Sequence, residues 1–196
     1  ARRQSRPDTV QREVDSLLAR RERLVGRLAE LVPRTVTARK IRIHGDYHLG
    51  QVLLAHNDFV ITDFEGEPAR SVAERRAKYS PLKDLAGMIR SLSYAAHAAL
   101  LRATAERPED YARLEPHVRQ WEALVRRAFV QAYIEATRES GLYASWDELR
   151  GLLRLLMFEK AFYELRYELQ NRPDWVHIPL HGLLDLSAEE PAASAQ

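Results

Sequence analysis

Only one stretch of this chain reads as β-structure, and this constrains the fold more than any other feature. Between residues 40 and 65 lie three short apolar runs, KIRI, QVLLA and FVITDF, rich in β-branched residues. His56, Asn57 and Asp58 are turn formers and separate the last two runs. Elsewhere the apolar residues recur at helical spacing. An isolated hairpin is marginal without helices to pack on. The expected fold is therefore mainly α with a small β-hairpin.

The helical spacing divides into segments. From Thr9 to Val32 the positions Val10, Val14, Leu17, Leu18, Leu24, Val25, Leu28 and Leu31 predict one helix. Asp8 or Thr9 caps its start in this reading, and Pro33 stops it. KIRIHGD reads as a strand ending in a polar cluster. Residues 66–80 have charge but no period and predict a loop with at most one helical turn. Ser80-Pro81 opens a helix to about Ala105. A second covers about 109–139, with a kink near Pro116. A third starts near Ser145 and ends at about Asn171, before Pro173. A short helix is expected over 178–186, followed by a disordered polar tail over 187–196.

Composition removes several classes. The 196 residues contain no cysteine, which excludes disulfide scaffolds, thiolate zinc sites and cysteine nucleophiles. No apolar run approaches the roughly 20 residues of a membrane span. The basic start has no apolar stretch behind it, unlike a secretory signal. A cytoplasmic protein without membrane or nucleic-acid partners is expected. Lys and Arg number 30 against 28 Asp and Glu, but residues 1–40 hold 11 of the cations and only 5 of the anions. A basic helix can bind nucleic acid. These 40 residues contain no aromatic side chain to stack on a base, so a solvated arginine-rich face is the reading preferred.

Two segments carry most of the chemistry: His44-Gly45-Asp46-Tyr47-His48-Leu49-Gly50-Gln51 and Ile61-Thr62-Asp63-Phe64-Glu65. The hairpin brings its open ends together, so Asp46, Gln51 and Asp63 should converge. Mg²⁺ takes hard oxygen ligands, usually one or two carboxylates completed by substrate phosphates and water. Gln51 and Asp63 can supply them, with Glu65 as a third. Asp46 is then free to orient a substrate hydroxyl and accept its proton. The spacing is that of a kinase catalytic loop, H-x-D-x-x-x-x-N, followed by a strand ending in D-F-G. Here Gln51 stands for Asn and Glu65 for Gly. His44 belongs to this catalytic group and reads as a strut within it. Two other readings compete. His44, Asp46 and His48 are possible ligands of a hydrolytic zinc, or the segment is a polar hairpin around a satisfied buried histidine.

Together, HGDYHLGQVL, ITDFEGEP, SPLKDLAGMIRSLSYAA and EKAFYELRYELQNRPDWVHIPL resemble the maltokinases, small-molecule kinases of the aminoglycoside-phosphotransferase-like group. The resemblance covers about residues 40–185. It implies the C-terminal helical lobe of a kinase-like α+β fold, and ATP-dependent phosphorylation of maltose to maltose 1-phosphate. Asp46 would be the base, and Gln51 and Asp63 the Mg²⁺ ligands. Leu53 would lie under the adenine, and Asp84 would brace the catalytic loop. Asp84 also reads as a first-turn acid favoured by the helix dipole.

The late helix is the expected sugar site, through Lys160, Tyr167, Glu168 and Trp175. Lys160, Tyr163, Glu164, Tyr167 and Asn171 share one face. No glycine-rich phosphate loop and no strand lysine precede residue 40. Residues 1–186 are therefore expected to be one lobe, with the ATP-clamping N-terminal lobe outside this chain and a fused or associated trehalose synthase implied by the family. Such a lobe alone is expected to be inactive or nearly so. The alternatives are a kinase of another hydroxylated substrate, such as an aminoglycoside or choline, and a non-catalytic sugar-binding or partner-docking module.

Overall fold

The computed structural model describes residues 7–33, 35–68 and 70–188. It is mainly helical with one two-stranded sheet. The leading segment is two helices, α1 (Pro7–Ala19) and α2 (Arg21–Leu31), and not the single helix expected over 9–32. The break falls at Arg20, whose N–H bonds the Leu17 carbonyl three residues back. The bend lets α1 lie on the last helix while α2 lies on the long sixth one. Apolar periodicity alone does not reveal it, because the stripe continues across the break.

The hairpin forms from β1 (Val52–Ala55) and β2 (Asp58–Ile61), antiparallel, with Val52 opposite Ile61 and Ala55 opposite Asp58. His56 and Asn57 take φ of 51° and 64°, the two left-handed positions of a tight hairpin turn. KIRIHGD does not form a strand. It makes one isolated bridge, Ile41 to Tyr79, because no strand lies alongside it. The loop that follows β2 contains one short helix, α3 (Val72–Arg76), closed by a Ser71–Glu74 capping box.

Four long or core-forming helices complete the lobe: α4 (Leu82–Ala103), α5 (Tyr111–Thr137), α6 (Trp146–Asn171) and α7 (His177–Ala188). Ser80 Oγ accepts the Leu82 N–H at the start of α4, and Ser145 Oγ accepts the Asp147 N–H at the start of α6. Pro116 sits inside α5 without ending it. α7 runs two residues past the expected 186, and the remaining tail, 189–196, lies outside the described residues.

α4 is the central element, packed on α5, α6 and α7. Leu82, Leu85, Ala86 and Ile89 of α4 meet Leu153, Met157, Phe158 and Ala161 of α6, and Leu183 and Leu186 of α7. Each fully buried leucine of this cluster contributes about 1.5–3 kcal/mol of hydrophobic stabilisation. The hairpin takes no part in this core. Leu53, Leu54, Phe59 and Val60 are all exposed. The sheet is held instead at its open end, where the site lies. Among the described residues no helix is long and apolar enough to cross a membrane.

Candidate active site

The loop 44–49 sits on α4 through its backbone. Asp84, in the first turn of α4, accepts the His44 N–H at 2.7 Å and the Gly45 N–H at 2.9 Å, one on each carboxylate oxygen. Burial pushes the Asp84 carboxyl above the usual carboxylate range, and these two N–H bonds pull it back. Both readings of Asp84, loop brace and first-turn acid, are compatible with this position. Gly45 has φ of 86°, a left-handed conformation that a side chain would strain.

His44 is buried and ties the loop to the hairpin. Its Nδ1 lies 3.3 Å from the Asp46 N–H, and its Nε2 lies 2.8 Å from the Thr62 carbonyl. An N–H donor on Nδ1 requires a lone pair there, so Nε2 carries the proton and donates to Thr62. His44 is thus a strut with both ring nitrogens engaged. Its ring also packs against Tyr47 and Phe64.

The hairpin closes as the turn chemistry demands. The Thr62 N–H donates to the Gln51 carbonyl at 2.9 Å, and Gln51 Nε2 donates to Asp63 Oδ2 at 2.8 Å. Asp63 itself has φ of 65°. Gln51 has its amide oxygen left to offer, and Asp63 has its second carboxylate oxygen. Two hard-oxygen side chains leave room for phosphate oxygens and water, which is the donor set Mg²⁺ prefers. The residues present therefore fit the ion. Glu65 is exposed, and Arg75 holds its backbone carbonyl. Among the described residues no three His, Asp or Glu side chains cluster closely enough to hold a metal ion. With both His44 ring nitrogens already engaged, that argues against a zinc set of His44, Asp46 and His48.

Asp46 projects from the loop between a lysine and a histidine. Lys160 Nζ of α6 lies 3.8 Å from Oδ1, and His48 Nε2 lies 3.8 Å from Oδ2. His48 also caps the 3-10 turn Leu49–Gln51, where Nδ1 accepts the Gly50 N–H. The local sequence around Asp46 has no lysine, so the sequence alone suggests an uncompensated acidic cluster. The fold supplies the cation from α6.

Beside Asp46 opens a small cleft of about 60 Å³, lined by Gly45, Glu67, Arg70, Lys83, Leu156, Glu159, Lys160 and Tyr163. Lys83 and Arg70 both face Glu159, at 3.4 and 3.8 Å. Tyr163 donates its hydroxyl to Glu67 Oε1 at 3.1 Å. Burial and the neighbouring Glu67 push the Tyr163 hydroxyl up to about 12, so it stays a donor. A larger cavity of about 290 Å³ lies elsewhere, between α2 and the end of α7, and holds none of these groups.

Of the four residues expected at the sugar, Lys160 alone lines this cleft. Tyr167 is exposed two turns beyond Lys160 on the same face of α6. Trp175 is half-buried in the 3-10 turn Pro173–Trp175, with the Arg172 guanidinium over its ring. Glu168 faces away from the cleft. It is buried, accepts from Tyr94 at 3.1 Å, and is held by Arg172 at 2.6 Å. The reason is helical phase: Met157, Ala161, Glu164 and Glu168 recur at four, three and four and form the stripe that packs inward. Glu67, Arg70, Lys83, Leu156 and Glu159 are cleft residues not singled out from sequence, and Tyr163 was placed only on the Lys160 face. The available signal was Tyr163 at three residues from Lys160. Glu67 lies in an aperiodic loop that gave none.

A helical lobe that presents a backbone-braced H-G-D loop beside a hairpin followed by Asp-Phe has the fold of kinase-like phosphotransferases. The profile of the phosphotransferase enzyme family (APH) matches residues 1–117, and the chain belongs to that family. The chain is 36% identical over 177 residues to a glucosamine kinase of Mycolicibacterium smegmatis, covering 86% of this chain and 40% of that protein. It is 30% identical over 149 residues to a glucosamine kinase of Streptacidiphilus jiangxiensis, covering 76% of this chain and 32% of that one. The chain thus spans well under half the length of these relatives. Among solved structures, a glucosamine kinase superposes with a TM-score of 0.71 at 28% identity, over 90% of this chain and 40% of that one. A glucosamine kinase in complex with glucosamine, ADP and inorganic phosphate superposes with a TM-score of 0.70 at 29% identity, over 89% and 39%.

Proposed function

We propose that this chain is the catalytic and acceptor lobe of an ATP-dependent sugar kinase, acting in the cytoplasm on a neutral sugar, maltose. The observation that carries the reading is the placement of Asp46 at the mouth of a cleft whose charges balance. Lys160, Lys83 and Arg70 stand against Asp46, Glu67 and Glu159. A balanced, hydrogen-bonding cleft suits hydroxyl groups, whereas a cationic substrate gains from an excess of carboxylate. The exposed face of α6 at Tyr167 is open to a second ring.

In this mechanism Asp46 orients the attacking hydroxyl and accepts its proton as the phosphoryl group transfers in line. Lys160 holds the Asp46 carboxylate from across the cleft. Glu67 and Tyr163 take up further sugar hydroxyls. Gln51 and Asp63 would hold Mg²⁺, which when bound neutralises charge on the phosphates. Leu53 offers an exposed apolar surface on the hairpin for the adenine. The ATP-clamping elements belong to further chain, in keeping with the length of the relatives. A trehalose synthase as fused or associated partner rests on the sequence motifs alone.

The second reading is an amino sugar, favoured by the glucosamine kinases among the relatives. Both are tested by assaying a polypeptide that contains this lobe and the remaining length of its relatives. It is given ATP, Mg²⁺ and, in turn, maltose, glucosamine, an aminoglycoside or choline, with products followed by phosphorus NMR. Transfer to the anomeric hydroxyl of maltose is expected. A higher kcat/KM for glucosamine replaces maltose with the second reading, and transfer to none of them overturns the kinase assignment.

A further inference from the structure

Asp84, Gly87 and Ser91 stand at i, i+3 and i+7 on α4 and form one line along its surface. The entire catalytic loop lies along that line. Asp84 takes the N–H groups of His44 and Gly45 at one end. Ser91 Oγ takes the Leu49 N–H at 3.0 Å at the other. Between them the Tyr47 carbonyl rests on Gly87 so closely that a Cβ there would meet it at 2.7 Å. The two attachment points are seven residues apart, about 10 Å along a helix rising 1.5 Å per residue.

Leu49 opens the 3-10 turn that presents Gln51. The amides of that turn have different partners. The Gly50 N–H goes to the His48 ring, and the Gln51 N–H goes to the His48 carbonyl. Both partners belong to the loop itself. The Leu49 N–H is bonded outside the loop, to Ser91. Asp84 therefore fixes the loop just ahead of Asp46, and Ser91 fixes it just ahead of Gln51.

We propose that Ser91 is a positioning residue for phosphoryl transfer: by holding the Leu49 N–H it sets the distance between Asp46 and the Gln51 side chain. This rests on the kinase reading above. Without the hydroxyl, water can take the Leu49 N–H, since Leu49 is partly exposed. The fold then persists, but the turn is no longer tied to α4.

The test compares Ser91→Ala and Ser91→Thr in the full polypeptide that carries this lobe. Hydrogen exchange is read first, since it needs neither metal nor turnover. Exchange at Leu49 and Gly50 should quicken by about tenfold or more in Ser91→Ala, with His44 and Gly45 unchanged, and Ser91→Thr should restore protection. In the assay, kcat should fall by about tenfold to a hundredfold in Ser91→Ala, with the sugar KM within about twofold. The Mg²⁺ concentration for half-maximal rate should rise, and Ser91→Thr should recover most of the rate. Wild-type exchange at Leu49 in Ser91→Ala overturns the proposal. So does loosening that spreads equally to His44 and Gly45, or a Ser91→Thr variant no better than Ser91→Ala. If no sugar is phosphorylated, the kinase reading falls, and the exchange comparison still decides whether Ser91 holds the turn.

Discussion

Lys160 Nζ reaches from α6 to within 3.8 Å of Asp46 Oδ1, so the charge nearest the proposed base comes from a distant part of the sequence. The two residues have separable roles. Asp46→Ala should lower kcat by about a thousandfold, within the range of general-base removal, and leave the melting temperature nearly unchanged because Asp46 is partly exposed. Lys160→Met keeps the base and removes a cleft donor. It should raise the sugar KM by about tenfold, the loss of one charged hydrogen bond, and reduce kcat less. Steady-state kinetics on both variants check this, and an Asp46→Ala enzyme within tenfold of wild type would exclude Asp46 as the base.

Asp63 combines a carboxylate with a backbone φ of 65°. Asparagine tolerates that conformation, whereas alanine pays a steric penalty of about 1 kcal/mol. Asp63→Asn should therefore melt with the wild type yet lose phosphoryl transfer by about a hundredfold or more, as expected for removal of a charged phosphate-site group. Asp63→Ala should lose both rate and stability. Thermal melts beside Mg²⁺ titrations of the rate separate the two effects.

Arg90 and Glu164 form a buried pair, with Arg90 Nε donating to Glu164 Oε2 at 2.9 Å. Burial raises the Glu164 carboxyl, and the guanidinium opposes that. The guanidinium lies against Gly182 of α7, where an added Cβ would clash with Arg90 Nη1. Arg90→Met leaves Glu164 buried without its partner and should cost about 3–5 kcal/mol. Gly182→Ala should cost about 1–3 kcal/mol through overpacking. Because the added methyl acts by displacing Arg90, the double variant should be less destabilised than the sum. Additive denaturation free energies would show that the glycine matters for another reason.

Glu13 of α1 faces His181 of α7 at 3.9 Å and, beyond it, Arg119 and Glu115 of α5. Burial lifts its carboxyl to about 7, with Arg119 opposing and Glu115 assisting. A carboxyl raised in the fold destabilises it as pH climbs from the unfolded value towards 7 and beyond. His181, lowered by burial and by Arg119, acts on the other side and loses stability as pH falls below its ordinary value. Glu13→Gln should therefore melt like wild type near pH 5 and higher than wild type near pH 8. The difference should be on the order of 1 kcal/mol. A constant offset between the two pH values would remove Glu13 as the source.

Much of this is legible in the sequence. The hairpin is legible because β-branched runs flank residues that accept left-handed backbone, and its closure brings Gln51 to Asp63. The helices after residue 80 follow from caps and prolines. Other features depend on contacts that sequence does not carry locally. KIRIHGD has strand composition but no neighbouring strand, so it makes a single bridge. The break at Arg20 arises because α1 and α2 pack on different partners. Glu168 has the chemistry of a sugar ligand, but helical phase turns it towards Tyr94. Lys160 meets Asp46 only because α6 crosses the cleft mouth.

The left-handed backbone at Asp63 also bears on how this site can change over generations. Conformation there admits glycine, asparagine and aspartate at little cost, whereas charge admits aspartate and glutamate. The two sets share one member. At Gln51, by contrast, the backbone is ordinary and the side chain offers a neutral oxygen, so substitutions that preserve an oxygen of similar reach remain open. Variation in the pair proposed to hold Mg²⁺ should therefore accumulate mainly at Gln51, with Asp63 held in place by two independent demands.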